Sequence, residues 1–225
     1  MMQAIMEAAF DIIYLTTVIT LGILMVIKGK GNKQYFLFGI MALSLGFGDA
    51  FHLVPRALAL CTTGLESYAF YLGLGKLITS ITMTGFYLIL YYVYRIRYNI
   101  KGQNYLTIAM YLLAIARIVL CALPQNDWFS GQGNLLWGII RNIPFTIIGI
   151  IIIVIFYLEA KKNNDKDFKF MWLTIVLSFG FYIPVVLLAD QYPLIGLLMM
   201  PKTIAYVWTV VIGYKALIKD LKQRG

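Results

Sequence analysis

Residues 136–158 read LWGIIRNIPFTIIGIIIIVIFYL, a run that carries a single charge, Arg141. A helix rises about 1.5 Å per residue, so roughly 20 such residues cross about 30 Å of bilayer hydrocarbon. Six further runs of this kind lie near 8–28, 35–56, 71–94, 104–123, 168–189 and 195–216, separated by charged or Gly/Asn-rich breaks. The runs are continuous instead of short and alternating, which argues against a β-barrel. The expected fold is all-α: one domain over residues 1–225, a polytopic seven-helix bundle in the lipid bilayer.

Composition points the same way. The chain is 61% hydrophobic and 13% charged, with a mean hydropathy of +0.80. Soluble domains carry roughly 45–50% apolar and about 25% charged residues. A soluble enzyme, a disordered chain and a disulfide scaffold are thereby excluded. The first run has an acidic flank (Glu7, Asp11) and no small-residue cleavage site after it, so it reads as a span and not as a cleaved signal peptide. No lipidation motif is present. The connections are short, so no attached soluble module is expected. Tyr35, Tyr94, Trp128 and Trp172 lie near span ends and read as an aromatic belt.

The net charge of +9 resolves into two parts. Lys28, Lys30 and Lys33 lie between spans one and two, and Arg95, Arg97 and Lys101 between three and four. Lys161, Lys162, Lys166 and Lys169 lie between five and six, and Lys215, Lys219, Lys222 and Arg224 follow span seven. With Glu159, Asp165, Asp167 and Asp220 this side nets +10. The positive-inside rule makes it cytoplasmic, with the N-terminus outside and the C-terminus inside. Orientation accounts for the basic excess, and no nucleic-acid partner is implied.

The other side holds Arg56, Lys76, Arg117, Arg141 and Lys202 against Glu7, Asp11, Asp49, Glu66, Asp127 and Asp190, a net of −1. Counted from the basic end at about 1.5 Å per residue, Asp49, Arg117 and Lys202 all come to about 20 Å. His52, Arg141 and Asp11 come to about 25 Å. Each charge would cost at least about 2.5–3.5 kcal/mol facing lipid, so the layer should face the bundle interior. Phase agrees: Asp49, His52 and Arg56 recur at i, i+3 and i+7 on one face, with Pro55 loosening that turn. Lys202, Tyr206, Thr209 and Gly213 share a stripe on span seven. Smaller polar stripes are Glu7, Asp11 and Tyr14, then Lys76, Thr79 and Ser80, then Thr174, Ser178 and Tyr182.

Plainer readings exist for each. Lys76 and Arg56 lie close enough to the interface to snorkel. Asp49 with Arg117 or Lys202 reads equally as a structural ion pair. A lone His52 is commonly a hydrogen-bonded core residue, and Glu7 and Asp11 suit a helix N-terminus. Cys61 and Cys121 both fall on the outer side, where either a disulfide or two separate thiols is open. Two cysteines and one histidine at these spacings match no zinc pattern, so no metal is expected.

Phosphate loops, a nucleophile elbow and H-E-x-x-H are absent, and no cofactor is expected. Ser44, Asp49 and His52 superficially resemble the site of seven-helix hydrolases of the alkaline ceramidase and adiponectin-receptor type. That chemistry needs three histidines, and His52 is the only one here. Lys202 is placed broadly as the Schiff-base lysine of microbial rhodopsins, but span three lacks the carboxylate counter-ion. Leu45-Gly46-Phe47-Gly48 and Leu177-Ser178-Phe179-Gly180, with Lys76 and Lys202, echo one another. The echo resembles small transporters built from two parallel three-helix units and a linker helix.

The expected function is a plasma-membrane transporter or receptor. Its outward-facing pocket would bind a small polar or anionic ligand, or a lipid headgroup. Asp49 paired with Arg117 or Lys202 would centre the network, and Tyr206 would share it. His52 would give pH dependence, its ordinary pKa being about 6.5. Arg56 and Arg141 would contact the anion. A metal-free lipid-modifying enzyme with Asp49 as base and His52 as acid is the alternative. A structural or assembly protein comes third.

Overall fold

The computed structural model describes residues 2–62, 64–130, 134–189 and 191–224. Among the described residues, seven helices are each long and apolar enough to cross a membrane. They are α1 (Met2–Lys28), α2 (Lys33–Cys61), α3 (Ala69–Arg97), α4 (Asn104–Ala122), α5 (Leu135–Lys162), α6 (Met171–Leu188) and α7 (Met199–Arg224). Consecutive helices pack as neighbours and α7 returns to α1, closing a ring; α2 meets α7 and α3 meets α5 across the middle. The bundle has two unlike ends: a basic end, where α1 finishes at Lys28 and α3 at Arg97, and the opposite end, at which α1 begins.

The outer surface shows why the chain needs lipid. Ile143, Ile147, Ile150 and Val154 form an exposed stripe along α5, and Leu112, Ile115 and Val119 do so on α4. Their three- and four-residue spacing is that of one helix face. In water such continuous apolar faces would drive association. The interior is built around clustered aromatic residues. Tyr87, Phe145 and Phe179 pack together with ring centroids 5.0–5.7 Å apart, and Tyr94 and Phe168 flank Phe156 at 5.7 and 6.3 Å.

Most boundaries agree with the hydropathic runs, and spans one, two and seven differ, α1 beginning already at Met2. α2 continues past Pro55 to Cys61. Proline removes the N–H that would have bonded the Phe51 carbonyl four residues back. Gly75 of α3 lies against that carbonyl and the His52 Cα, where a Cβ would collide with both. Nearby, Thr79 Oγ1 donates to the Gly48 carbonyl at 3.0 Å, and Gly48 itself faces Thr82. Small residues thus let α2 and α3 approach closely. Span seven differs at both ends. Its first residues form a tighter 3-10 turn, Pro193–Leu198, and α7 extends beyond 216 to Arg224. The extension carries Lys219, whose Nζ reaches Asp167 at 2.8 and 3.0 Å.

The two glycines that close the internal echo are packed differently. Gly48 is pressed against Thr82, whereas Gly180 has nothing within 4 Å.

At the basic end Asp165 organises the α5–α6 turn. It accepts the backbone N–H groups of Asp167 and Phe168 at 3.1 and 3.3 Å, two bonds from Arg97, and the Tyr98 hydroxyl at 3.1 Å. Burial pushes its carboxyl up, but the Arg97 bonds and charge outweigh that and hold it below the usual carboxylate range. Burial, then the Asp165 charge, pushes the Tyr98 hydroxyl up.

Candidate functional site

The polar layer gathers at the end where α1 begins, around two adjoining cavities. The first, about 280 Å³, lies among α2–α7 and is lined by His52, Lys76, Arg117, Arg141, Lys202 and Tyr206 together with Phe145, Tyr182 and Trp128. The second, about 330 Å³, is bounded by Glu7, Asp11, Asp49 and Arg56. His52, Lys76 and Lys202 line both and form the wall between them. All seven residues singled out from sequence for the charge network therefore border one or other cavity.

Their pairing differs from the expected one. Asp49 is 9% exposed and its Oδ2 accepts the Tyr14 hydroxyl at 2.7 Å. Among the described residues it forms an ion pair with neither Arg117 nor Lys202. For Arg117 the reason is the helix order: α1 and α3 flank α2, so Tyr14 is an immediate neighbour while α4 lies beyond α3. Lys202 instead rests its Nζ 5.0 Å from the Tyr182 ring centroid and 5.3 Å from that of Tyr206. Both rings line the first cavity, and their faces attract the ammonium.

Arg117 is the most deeply buried of the cations, at 2% exposure. Its guanidinium carbon stands 3.2 Å above the centre of the Phe145 ring, and its Nε and Nη1 have no hydrogen-bond partner. Arg141 donates from Nη1 to Asn126 Oδ1 at 2.9 Å and lies 4.2 Å over Trp128. Arg56 is committed to an ion pair with Glu7. Arg56 shares a neighbouring opening with Arg141, Glu66 and Asp127, and it also lines the second cavity. Asp11 lines the same cavity with an unpartnered Oδ2.

His52 Nδ1 lies 3.4 Å from the Leu72 carbonyl, and His52 does not bond Asp49 among the described contacts. Both residues line the second cavity. Asp190 lies outside the described residues. No group of three or more His, Cys, Asp or Glu placed to hold a metal occurs among those described. Cys61 and Cys121 are separate free thiols, the first exposed and the second buried, so the bridge left open by their spacing is not formed.

Three participants are not legible as such in the sequence. Trp128 reads there as part of an aromatic belt, yet it folds back into the bundle, its Nε1 donating to the Cys121 carbonyl at 2.8 Å. Gly73 of α3 makes room for its backbone. Asn126 sits in a short 3-10 turn, Pro124–Asn126, and its Nδ2 donates to the carbonyls of Leu120 and Leu123 at 2.7 and 2.8 Å. Phe145 is one apolar residue in an apolar run. The Pro-Gln-Asn-Asp-Trp segment is the signal available, since a polar, aromatic turn beside a charge layer is a natural lid for it.

The uncharged hydroxyls of the first cavity are already used. Thr79 donates to Gly48, Ser80 to Lys76 and Tyr182 to Asn142. What remains is a donor-rich, positively charged lining with aromatic and aliphatic walls. No known protein family, curated protein or solved structure matches the chain.

Proposed function

We propose that the protein binds a small anion in the first cavity, as a transporter or receptor of the plasma membrane. One observation carries this reading: the charges lining that cavity are Lys76, Arg117, Arg141 and Lys202, with no carboxylate among the described lining residues. Arg117 and Arg141 form no ion pair among the described residues, whereas structural ion pairing alone would place acids beside them, because a buried unpaired charge is destabilising. The volume is at the small end of ligand pockets, which suits a ligand of about ten heavy atoms. With the basic end cytoplasmic, the cavity opens outward.

Titration calorimetry of the purified protein with benzoate and with isosteric, neutral benzamide tests the reading. Benzoate is expected to bind and benzamide not, with benzoate binding lost in Arg117→Met. Equal binding of the two would overturn it. Uptake of radiolabelled benzoate into proteoliposomes then separates transporter from receptor.

A further inference from the structure

We infer that the ligand of the first cavity is an oxyanion carrying two negative charges, which rests on the anion-binding reading above. The charges around the two cavities divide into answered and unanswered ones. Arg56 is ion-paired with Glu7. Lys76 and Lys202 line the second cavity as well as the first and share it with the two remaining carboxylates, Asp11 and Asp49. Arg117 and Arg141 line the first cavity and not the second.

Neither of these arginines is ion-paired among the described residues. Arg141 has a neutral amide, Asn126, and an indole face; Arg117 has a phenyl face and two unpartnered nitrogens. Aromatic faces attract a guanidinium without cancelling its charge. A guanidinium also cannot discard its charge by losing a proton. Glu66 and Asp127 share a neighbouring opening with Arg141, but both are exposed, where water and salt screen them. His52, on the shared wall, adds no charge in its neutral form.

Two positive charges therefore await a counter-charge, Arg117 buried and Arg141 half-buried. A monoanion leaves one of them uncompensated; a dianion cancels both. Each guanidinium presents a planar fork that matches two oxygens of one phosphate, sulfate or carboxylate group. The chemistry is shared by a free phosphate or sulfate, a short dicarboxylate and the monoester phosphate of a lipid headgroup.

The test is calorimetry at pH 8 with sulfate, phthalate and benzoate, all of fixed charge there. Sulfate or phthalate is expected to bind at least tenfold more tightly than benzoate. Tight sulfate with weak phthalate identifies a single-centre dianion, and the reverse a dicarboxylate. Displacement of sulfate by phosphatidate added to the micelles at equimolar ratio assigns the headgroup as the source. In Arg141→Gln the dianion preference should fall to parity while benzoate still binds; Arg117→Gln should weaken benzoate and the dianions alike. Benzoate binding as tightly as both dianions to the unaltered protein would overturn this inference and leave the anion-binding reading intact. Binding of none of the three removes both. The comparison among ligands needs no variant, so misfolding of either one leaves it decisive.

Discussion

Arg97 grips both carboxylate oxygens of Asp165, Nε to Oδ2 at 2.9 Å and Nη2 to Oδ1 at 2.8 Å, joining the end of α3 to the turn between α5 and α6. The Asp165 side chain is 7% exposed and that of Arg97 19%. At that burial the pair is more than a solvated surface contact, whose value would be about 0–1 kcal/mol. Arg97→Met leaves Asp165 buried without its charged partner. A loss of about 2–3 kcal/mol in unfolding free energy is expected, read by thermal or denaturant unfolding in detergent. A loss below about 0.5 kcal/mol would show that the pair contributes no more than a surface bridge.

The same pair sets an acid limit. Arg97 holds the folded-state Asp165 carboxyl below the ordinary value near 3.9 that applies when the chain is unfolded. Its contribution is complete above the unfolded value and is lost as pH falls through the lower, folded one. Acidification from about pH 5 toward pH 3 should therefore lower the melting temperature of the native protein more than that of Asp165→Asn. Parallel curves for the two would refute the assignment.

Arg117 should behave in the opposite sense. Its stacking on Phe145 is worth about 2 kcal/mol when desolvated, while withdrawing a charge from water costs several kcal/mol. Arg117→Met removes the larger, unfavourable term. The variant is expected to melt at or above the native temperature while losing benzoate binding. A residue that stabilises the fold would show the reverse, a drop in melting temperature.

Gly75 tests the close approach of α2 and α3. Gly75→Ala sets a methyl group against the Phe51 carbonyl and the His52 Cα. The helices must separate, at about 1–3 kcal/mol. Gly180→Ala, where nothing lies within 4 Å, should be neutral or slightly stabilising because alanine favours the helix. Equal effects at the two positions would contradict this packing.

How much of this is legible in the sequence follows from the range of the interactions. Span count comes from continuous hydropathy, a property of each segment by itself. That Asp49, Arg117 and Lys202 share a depth follows from helical rise alone. Which of them touch does not, because helix order around the ring is absent from any single segment. Tyr14, on a stripe of its own, bonds Asp49 where neither cation does. Arg117 and Phe145 belong to different helices, and nothing in an apolar run marks one phenyl ring as a platform. Trp128 escapes a local reading because a tryptophan near a span end has two destinations, the interface or the bundle. The Gly73 notch that admits its backbone lies 55 residues away in the chain.

The contrast between Cys61 and Cys121 makes the native molecule its own sidedness reporter. Cys61 ends α2 in an exposed position at the cavity end, while Cys121 is enclosed. A membrane-impermeant maleimide added to intact cells should modify one thiol per chain without any engineered residue. Labelling only after the cells are opened would instead put the cavity mouth on the interior face.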